Sequence, residues 1–375
     1  MSYGVKLDPQ PIASGLTIRE LVDHHLYAYN AARLREACQL FAQKIAQPEV
    51  TIGITLSGAL TPTGLGTAAI VPLIRAGLID WVVSTGANLY HDIHRTLGFD
   101  LWGTTPFAND RELREKKLIR IYDILFEQDV LFKSDQFLYQ CMRGPEFQHT
   151  MGTAELHYLL GRYTKAREKA TQIDYVSILT AAHEAGVPLY TSSPGDSTIG
   201  MNVAALAMMG NKLRFDVERD VNETTAIVHD AKQSPEGKSA VIVLGGGSPK
   251  NFILQTEPQL QEIMGISEKG HDYYIQFTDA RPDTGGLSGA TPSEAMTWGK
   301  IDPDQLPDTI VCYCDSTIAL PIMAAYVLDV AGSRPLKRLY DRRDEMMDTL
   351  QQSYNEALKS HNTADHFADS TDSTE

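Results

Sequence analysis

An α/β fold, with a doubly wound, mostly parallel (Rossmann-like) sheet and a helical insertion, is predicted by three features of the sequence. Short apolar runs recur from about residue 50 onward, each run is continuous rather than alternating, and amphipathic stretches of helical length separate them. A continuous run suits a strand covered on both faces. A β-then-α rhythm joins parallel strands through helices packed on the sheet.

The elements follow in chain order. Residues 1–48 read as a helical segment: Ser14 or Thr17 can cap it, and Leu21, Leu26, Tyr29, Leu34, Cys38 and Leu40 recur near helical spacing. Residues 49–335 form the α/β unit. Its strand runs are TIGITL (51–56), IDWVVST (79–85), VPLYTS (187–192), SAVIVLGGG (239–247), DYYIQF (272–277) and TIVCYC (309–314). Helices are expected over 64–77, 172–185, 201–209, 213–231 and 316–331. Residues 95–170, rich in charge and aromatics (LIRIYDILFEQDVLF, FLYQCM, LHYLLGRY), read as helices inserted between strands. A C-terminal helix over 336–359 precedes an acidic stretch, 360–375, expected to be disordered.

Composition excludes several function classes. The net charge of −15 repels nucleic acid in the absence of a segregated basic stripe, and none is visible. Every apolar run is broken too soon to span a membrane. The first twenty residues lack a basic start and an apolar centre, so no secretory signal is read and a cytoplasmic location is expected. Cys38, Cys141, Cys312 and Cys314 have no C-x-x-C spacing and read as free thiols. His91 and His94 in HDIH do not make a metal set, so no metal is expected.

Glycines cluster after the strands, in SGALTPTGLG (57–66), STGAN (84–88) and LGGGSPK (244–250). Small residues at the carboxyl ends of parallel strands let phosphates reach backbone N–H groups, so a nucleotide site is expected there. GLGTAA (64–69) fits the dinucleotide fingerprint in form but lies several residues past its strand. Asp315 and Asp196 can each accept from ribose hydroxyls or cap the following helix.

The segment GGLSGATPSEAMTWGKID (285–302) is the richest in chemistry. Thr291-Pro292-Ser293-Glu294 reads as a capping box with proline at the first helical position, and Gly299 as a helix stop. Glu294 and Trp298, four apart, share a face, and Lys300 falls just beyond the turn. A carboxylate and an indole hold alkylammonium groups, and a lysine of lowered pKa attacks carbonyl-type carbon. Spacing alone also fits a plainer account, in which Glu294 only caps, Trp298 is core and Lys300 favours a helix end.

The string SGATPSEAMTWGKI resembles the hallmark segment of deoxyhypusine synthases. The similarity runs in family order through TGANLYHD, PGDSTIG, LGGGSPK and YCDSTIALP. The resemblance implies a Rossmann-like sheet, bound NAD and a homotetramer with active sites at subunit interfaces. It implies Lys300 as the catalytic nucleophile, with Glu294, Trp298, Asn251, His91, Leu287 and Gly286 at substrate-binding positions. Gly58, Ala59, Thr61, Thr85, Gly86, Ala87, Asp196, Gly246, Ala280, Asp315 and Ser316 fall at NAD-binding positions. The implied reaction moves an aminobutyl group from a spermidine-type polyamine to an acceptor amine through a lysine imine. Met201 and Leu287 stand where the family pattern has acids, Asn251 where it has histidine, and His91 where it has glutamate. These departures tilt the acceptor from a protein lysine toward a small amine such as putrescine or agmatine, as in homospermidine formation. An NAD-dependent amine dehydrogenase without covalent transfer, and a silent NAD-binding protein, are the competing readings.

Overall fold

The computed structural model describes residues 6–361. Six strands form the main sheet: β1 (Val50–Leu56), β2 (Trp81–Ser84), β3 (Leu189–Thr191), β4 (Lys238–Leu244), β5 (Tyr273–Thr278) and β6 (Thr309–Tyr313). Every pairing is parallel and the order across the sheet is β6-β5-β4-β1-β2-β3. This is the doubly wound order, and it reverses between β1 and β4. A crevice opens at such a reversal outside the carboxyl ends of the strands, which places Ser57-Gly58 beside Gly245–Gly247.

Both faces of the sheet are apolar, which is why the runs are continuous. Ile52, Ile54, Leu56, Val82, Ile242, Leu244, Ile275 and Phe277 belong to one buried cluster, shared with the helices Tyr29–Leu40, Ile178–Ala185 and Ser316–Val330. Trp81, Val83, Tyr190, Val241, Val243 and Tyr274 belong to the other, with the helices Val217–Ala231, Gly247–Leu254 and Arg343–His361. Alternate residues of each strand thus feed opposite layers.

All six predicted strands form. The helix predicted over 172–185 starts later, at Ile178, because Ser177 caps it through the Thr180 N–H. Two expectations need correction. The N-terminal segment is two helices, Ile18–His25 and Tyr29–Leu40, not one; Thr17 caps the first reciprocally with Glu20, and Tyr29 turns the chain at φ 56°. Residues 95–170 are not purely helical. Leu118–Ile121 and Ile124–Glu127 pair antiparallel across a turn at Tyr122 and Asp123, with Trp102–Gly103 on the outer edge. The run LIRI–YD–ILFE carries a turn between two four-residue apolar stretches, a strand signal that the flanking charge obscures.

A buried ion pair closes the C-terminal connection onto the sheet. The Arg334 guanidinium bonds to the Asp80 carboxylate and to the Gly77 carbonyl, and reaches the carbonyls of Gln47 and Val50, both at 2.7 Å. Asp80 also accepts from the Ile52 N–H at 2.8 Å. From there the chain passes to the helix Arg343–His361; the predicted acidic tail lies outside the described residues except for Ser360 and His361. Among the described residues all four cysteines are free, and no helix is long and apolar enough to cross a membrane.

Candidate active site

The helix beginning at Gly247 continues through Thr256–Pro258 into a single wide turn, Gln259–Ile263. Facing it is the segment Leu287–Lys300, which contains the short helix Pro292–Thr297. Between them lies a cavity of about 350 Å³. Lys250, Leu254, Pro258 and Glu262 line it from the first wall, and Ala290, Glu294 and Trp298 from the second, each set spaced by four. Residues four apart lie on one helical face. Asn251, Gln255, Leu287, Ala295 and Lys300 complete the lining.

Lys300 sits in this cavity rather than in open solvent. Its Nζ donates to Asn251 Oδ1 at 3.3 Å and lies 5.8 Å from the Trp298 ring centre. Burial lowers its pKa, with Glu262 and then Glu294 pulling the other way. A lowered pKa raises the fraction of free amine at neutral pH.

The plainer account of Glu294 and Trp298 is not what forms. Thr291 accepts from the Glu294 N–H at 3.2 Å, so the helix start is as predicted, but no return bond from the Glu294 carboxylate is made. This is half a capping box, and the carboxylate faces the cavity instead. Trp298 is 59% exposed and therefore not core. Gly299 stops the helix at φ +68°, and a Cβ there would collide with the Gln261 side chain.

A second lysine shares the cavity. Lys250 is 2% exposed, and burial lowers its pKa to about 8. Its Nζ donates to the Ala290 carbonyl at 2.7 Å, to Gln276 Oε1 at 3.1 Å and to the Ser288 carbonyl at 3.3 Å. All three donors of an ammonium are thereby used, which makes Lys250 a strut for the 288–290 turn. Lys300 has one neutral partner and an open approach, as a nucleophile requires. Lys250 lies within a motif noted in the sequence, but its burial is a tertiary fact that spacing does not reveal.

The loops at the strand ends interlock. Ser57 bonds to the Gly246 carbonyl and accepts from its N–H at 3.1 Å, while Ser288 accepts from the Gly247 N–H at 2.8 Å. Thr85 caps the helix Gly86–Thr96 and donates to the Gly58 carbonyl at 2.6 Å. Asn88, which sequence reasoning passed over inside STGAN, is the buried hub: its Oδ1 accepts from Leu60 and Thr61, and its Nδ2 donates to Thr85 and Ser57. Thr61 is itself buried and donates to the Asn88 carbonyl. Asp315 caps the helix Ser316–Val330 through the Thr317 N–H at 2.7 Å. Asp196 does not cap its helix; Ser197 does, through the Gly200 N–H, so the capping option for Asp196 falls. Ala280 closes a turn on Thr278 Oγ1, and Ser316 lies at the end of β5 against the Phe277 carbonyl.

His91 and Gly286 do not line the lysine cavity. The His91 ring nitrogen Nδ1 lies 3.0 Å from His94 Nε2, and His94 Nδ1 lies 2.8 Å from Ser134 Oγ. Burial drives His94 down to about 3 and lowers His91 as well, which favours the neutral form of both rings. Among the described residues no three His, Cys, Asp or Glu are placed to hold a metal ion.

Behind Lys300, Lys232 is ringed by Glu268 at 2.8 Å, Glu257 at 3.3 Å and Asp272 at 3.8 Å. Burial raises Glu257 to about 7 against the pull of Lys232. The folded state therefore holds a proton between about pH 4.5 and 7 that the unfolded chain has released. The stability this gives is full below that window and lost as pH rises through 7. Glu257→Gln is expected to gain on the parent by about 2 kcal/mol between pH 5 and pH 8. Urea melts at both pH values test this, and a pH-independent difference counts against it.

Comparison with known proteins fits the motif and the fold. A family model for deoxyhypusine synthase matches residues 21–327. A deoxyhypusine synthase-like protein from Cyanothece sp. (strain PCC 7425 / ATCC 29141) is 58% identical over 359 residues, covering 95% of this chain and 90% of that one. A Nostoc punctiforme protein of the same name is 58% identical over 351 residues, covering 94% and 90%. A crystal structure assigned to deoxyhypusine synthase in Entamoeba histolytica superposes with a TM-score of 0.55 at 13% identity, covering 88% of this chain and 99% of that one, a likeness of fold alone. With the match extending over most of its length, the chain belongs to the deoxyhypusine synthase family.

Proposed function

We propose that this protein is an NAD-dependent aminobutyl transferase that uses a polyamine donor and Lys300 as the covalent carrier. The observation that carries the reading is the shared cavity: an amine of lowered pKa, a carboxylate and an indole converge where the family motif puts them. The doubly wound crevice supports the cofactor. A Cβ at Gly246 would strike Ser288, whereas one at Gly58 would meet nothing within 4 Å. The Ser57–Ala59 loop, Thr85–Ala87, Asp196, Ala280 and the Asp315–Ser316 helix start would hold the dinucleotide around that crevice.

NAD, when bound, supplies hydride removal beside the donor's secondary amine and hydride return at the end. This chain's residues do the rest. Glu294 and Trp298 hold the alkylammonium. Lys300 Nζ attacks the C=N carbon of the oxidised donor, the C–N bond to the smaller amine breaks, and that amine leaves with the proton Nζ sheds. The aminobutyl fragment stays as a Lys300 imine until an acceptor amine attacks it and frees the lysine. Incubation with NAD and a panel of amines, followed by borohydride trapping and mass spectrometry, tests the scheme. No adduct at Lys300 with any amine overturns it.

A small-amine acceptor is favoured over a protein lysine because an apolar Leu287 lines the cavity and Met201 is exposed and uncharged. Leu287→Asp is expected to shift preference toward longer polyamines by about tenfold in kcat/KM. An unchanged profile removes the pocket argument. The homotetramer belongs to the same proposal; the exposed Met201, Met208 and Met209 offer a second copy an apolar surface.

A further inference from the structure

The cavity has a second carboxylate that no motif points to. Glu262 ends the stripe Lys250, Leu254, Pro258, Glu262, so the wall carrying Asn251 also carries an acid. Its position is fixed by the two residues that precede it. Leu260 is fully buried, and Gln261 Nε2 donates to the Gly299 carbonyl at 2.8 Å. That bond ties the wide turn Gln259–Ile263 to the residue preceding Lys300, so Glu262 and Lys300 are held in one frame. Wide turns of this kind are enriched at functional sites. Besides the two carboxylates, Asn251, Gln255 and the two lysines, the rest of the lining is apolar or aromatic: Leu254, Pro258, Leu287, Ala290, Ala295 and Trp298. Apolar walls with an acid on each suit an aliphatic chain with a cation at each end.

Resting on the reading above, we propose that Glu262 is a substrate-binding and specificity-determining residue. It binds one terminal ammonium of a linear diamine or polyamine while Glu294 and Trp298 bind the other cationic centre. Glu262 thus supplies, from a different element, anionic contact that Met201 and Leu287 do not.

The test is calorimetric binding of 1,4-diaminobutane and n-butylamine to the NAD-loaded protein and to its Glu262→Gln and Glu262→Asp variants. Glu262→Gln is expected to weaken the diamine about tenfold and the monoamine less than about twofold, since one cation is served by Glu294 and Trp298. Glu262→Asp is expected to recover part of the loss, and high salt to narrow the gap. Equal weakening of both amines, or no change for the diamine, overturns the proposal. The borohydride assay on the parent protein keeps the two readings apart. A Lys300 adduct with an unaltered Glu262→Gln binding profile sinks only the Glu262 role, whereas no adduct with any amine sinks the transferase.

Discussion

Replacing Lys300 with arginine is expected to lower aminobutyl transfer by at least about 10³-fold, because groups acting as a catalytic unit fail together. Cofactor binding should survive. Arginine keeps the positive charge and much of the stem, but its guanidinium stays protonated and forms no imine under enzyme conditions. Lys300 is suited to the role by what surrounds it: partial burial, one neutral acceptor on Asn251 and an opening onto the cavity. Lys250 is the internal control. It too has a lowered pKa, but its three donors are committed to Ala290, Gln276 and Ser288. Mass spectrometry after borohydride should place the fragment on Lys300 in the parent and on no lysine in the variant. Retained transfer, or a fragment on Lys250, refutes the assignment. Because desolvation depresses the Lys300 pKa, transfer at subsaturating donor should also rise with pH as the free amine grows.

Breaking the Asp80–Arg334 pair is expected to cost about 3–5 kcal/mol, the usual effect of leaving one partner of a buried ion pair unmatched. Side-chain exposure is 5% for Arg334 and 1% for Asp80. Burial raises the Asp80 pKa on balance, and Arg334, Lys337 and the Ile52 N–H only partly offset it. Arg334→Met would therefore strand a buried carboxylate and also remove the guanidinium bonds to the carbonyls of Gly77, Gln47 and Val50. The double variant Asp80→Leu/Arg334→Met should lose less than the sum of the singles, the remaining loss reflecting those carbonyls. Urea midpoints for the four proteins measure this; additive losses would mean that the two side chains do not act as a pair.

The strands themselves were legible because they follow from local physics. Two-sided burial forces continuous apolar runs, and the helix caps at Thr17 and Asp315 lie in plain sequence view. The hairpin at Tyr122 and the break before Tyr29 were not legible; both depend on a positive φ at an aromatic residue, which no composition rule favours. At the site, Lys300, Glu294 and Trp298 were readable from a short motif. Asn88, Lys250 and Glu262 were not singled out, although the fourfold spacing from Lys250 to Glu262 was present. Their importance comes from which loop each one reaches across space, and that is set by the sheet order rather than by neighbours in the chain.

The reversal of strand order between β1 and β4 also divides labour within the molecule. Residues 85–188, with the hairpin and the long helix Thr153–Thr171, all connect β2 to β3 at one edge, while the amine cavity is assembled wholly from residues 250–300 on the other half. Past the loop contacts of Thr85 and Asn88, changes of length at the first edge would leave the residues that line the Lys300 cavity in place. The outer edge can therefore change shape without altering the walls around Lys300.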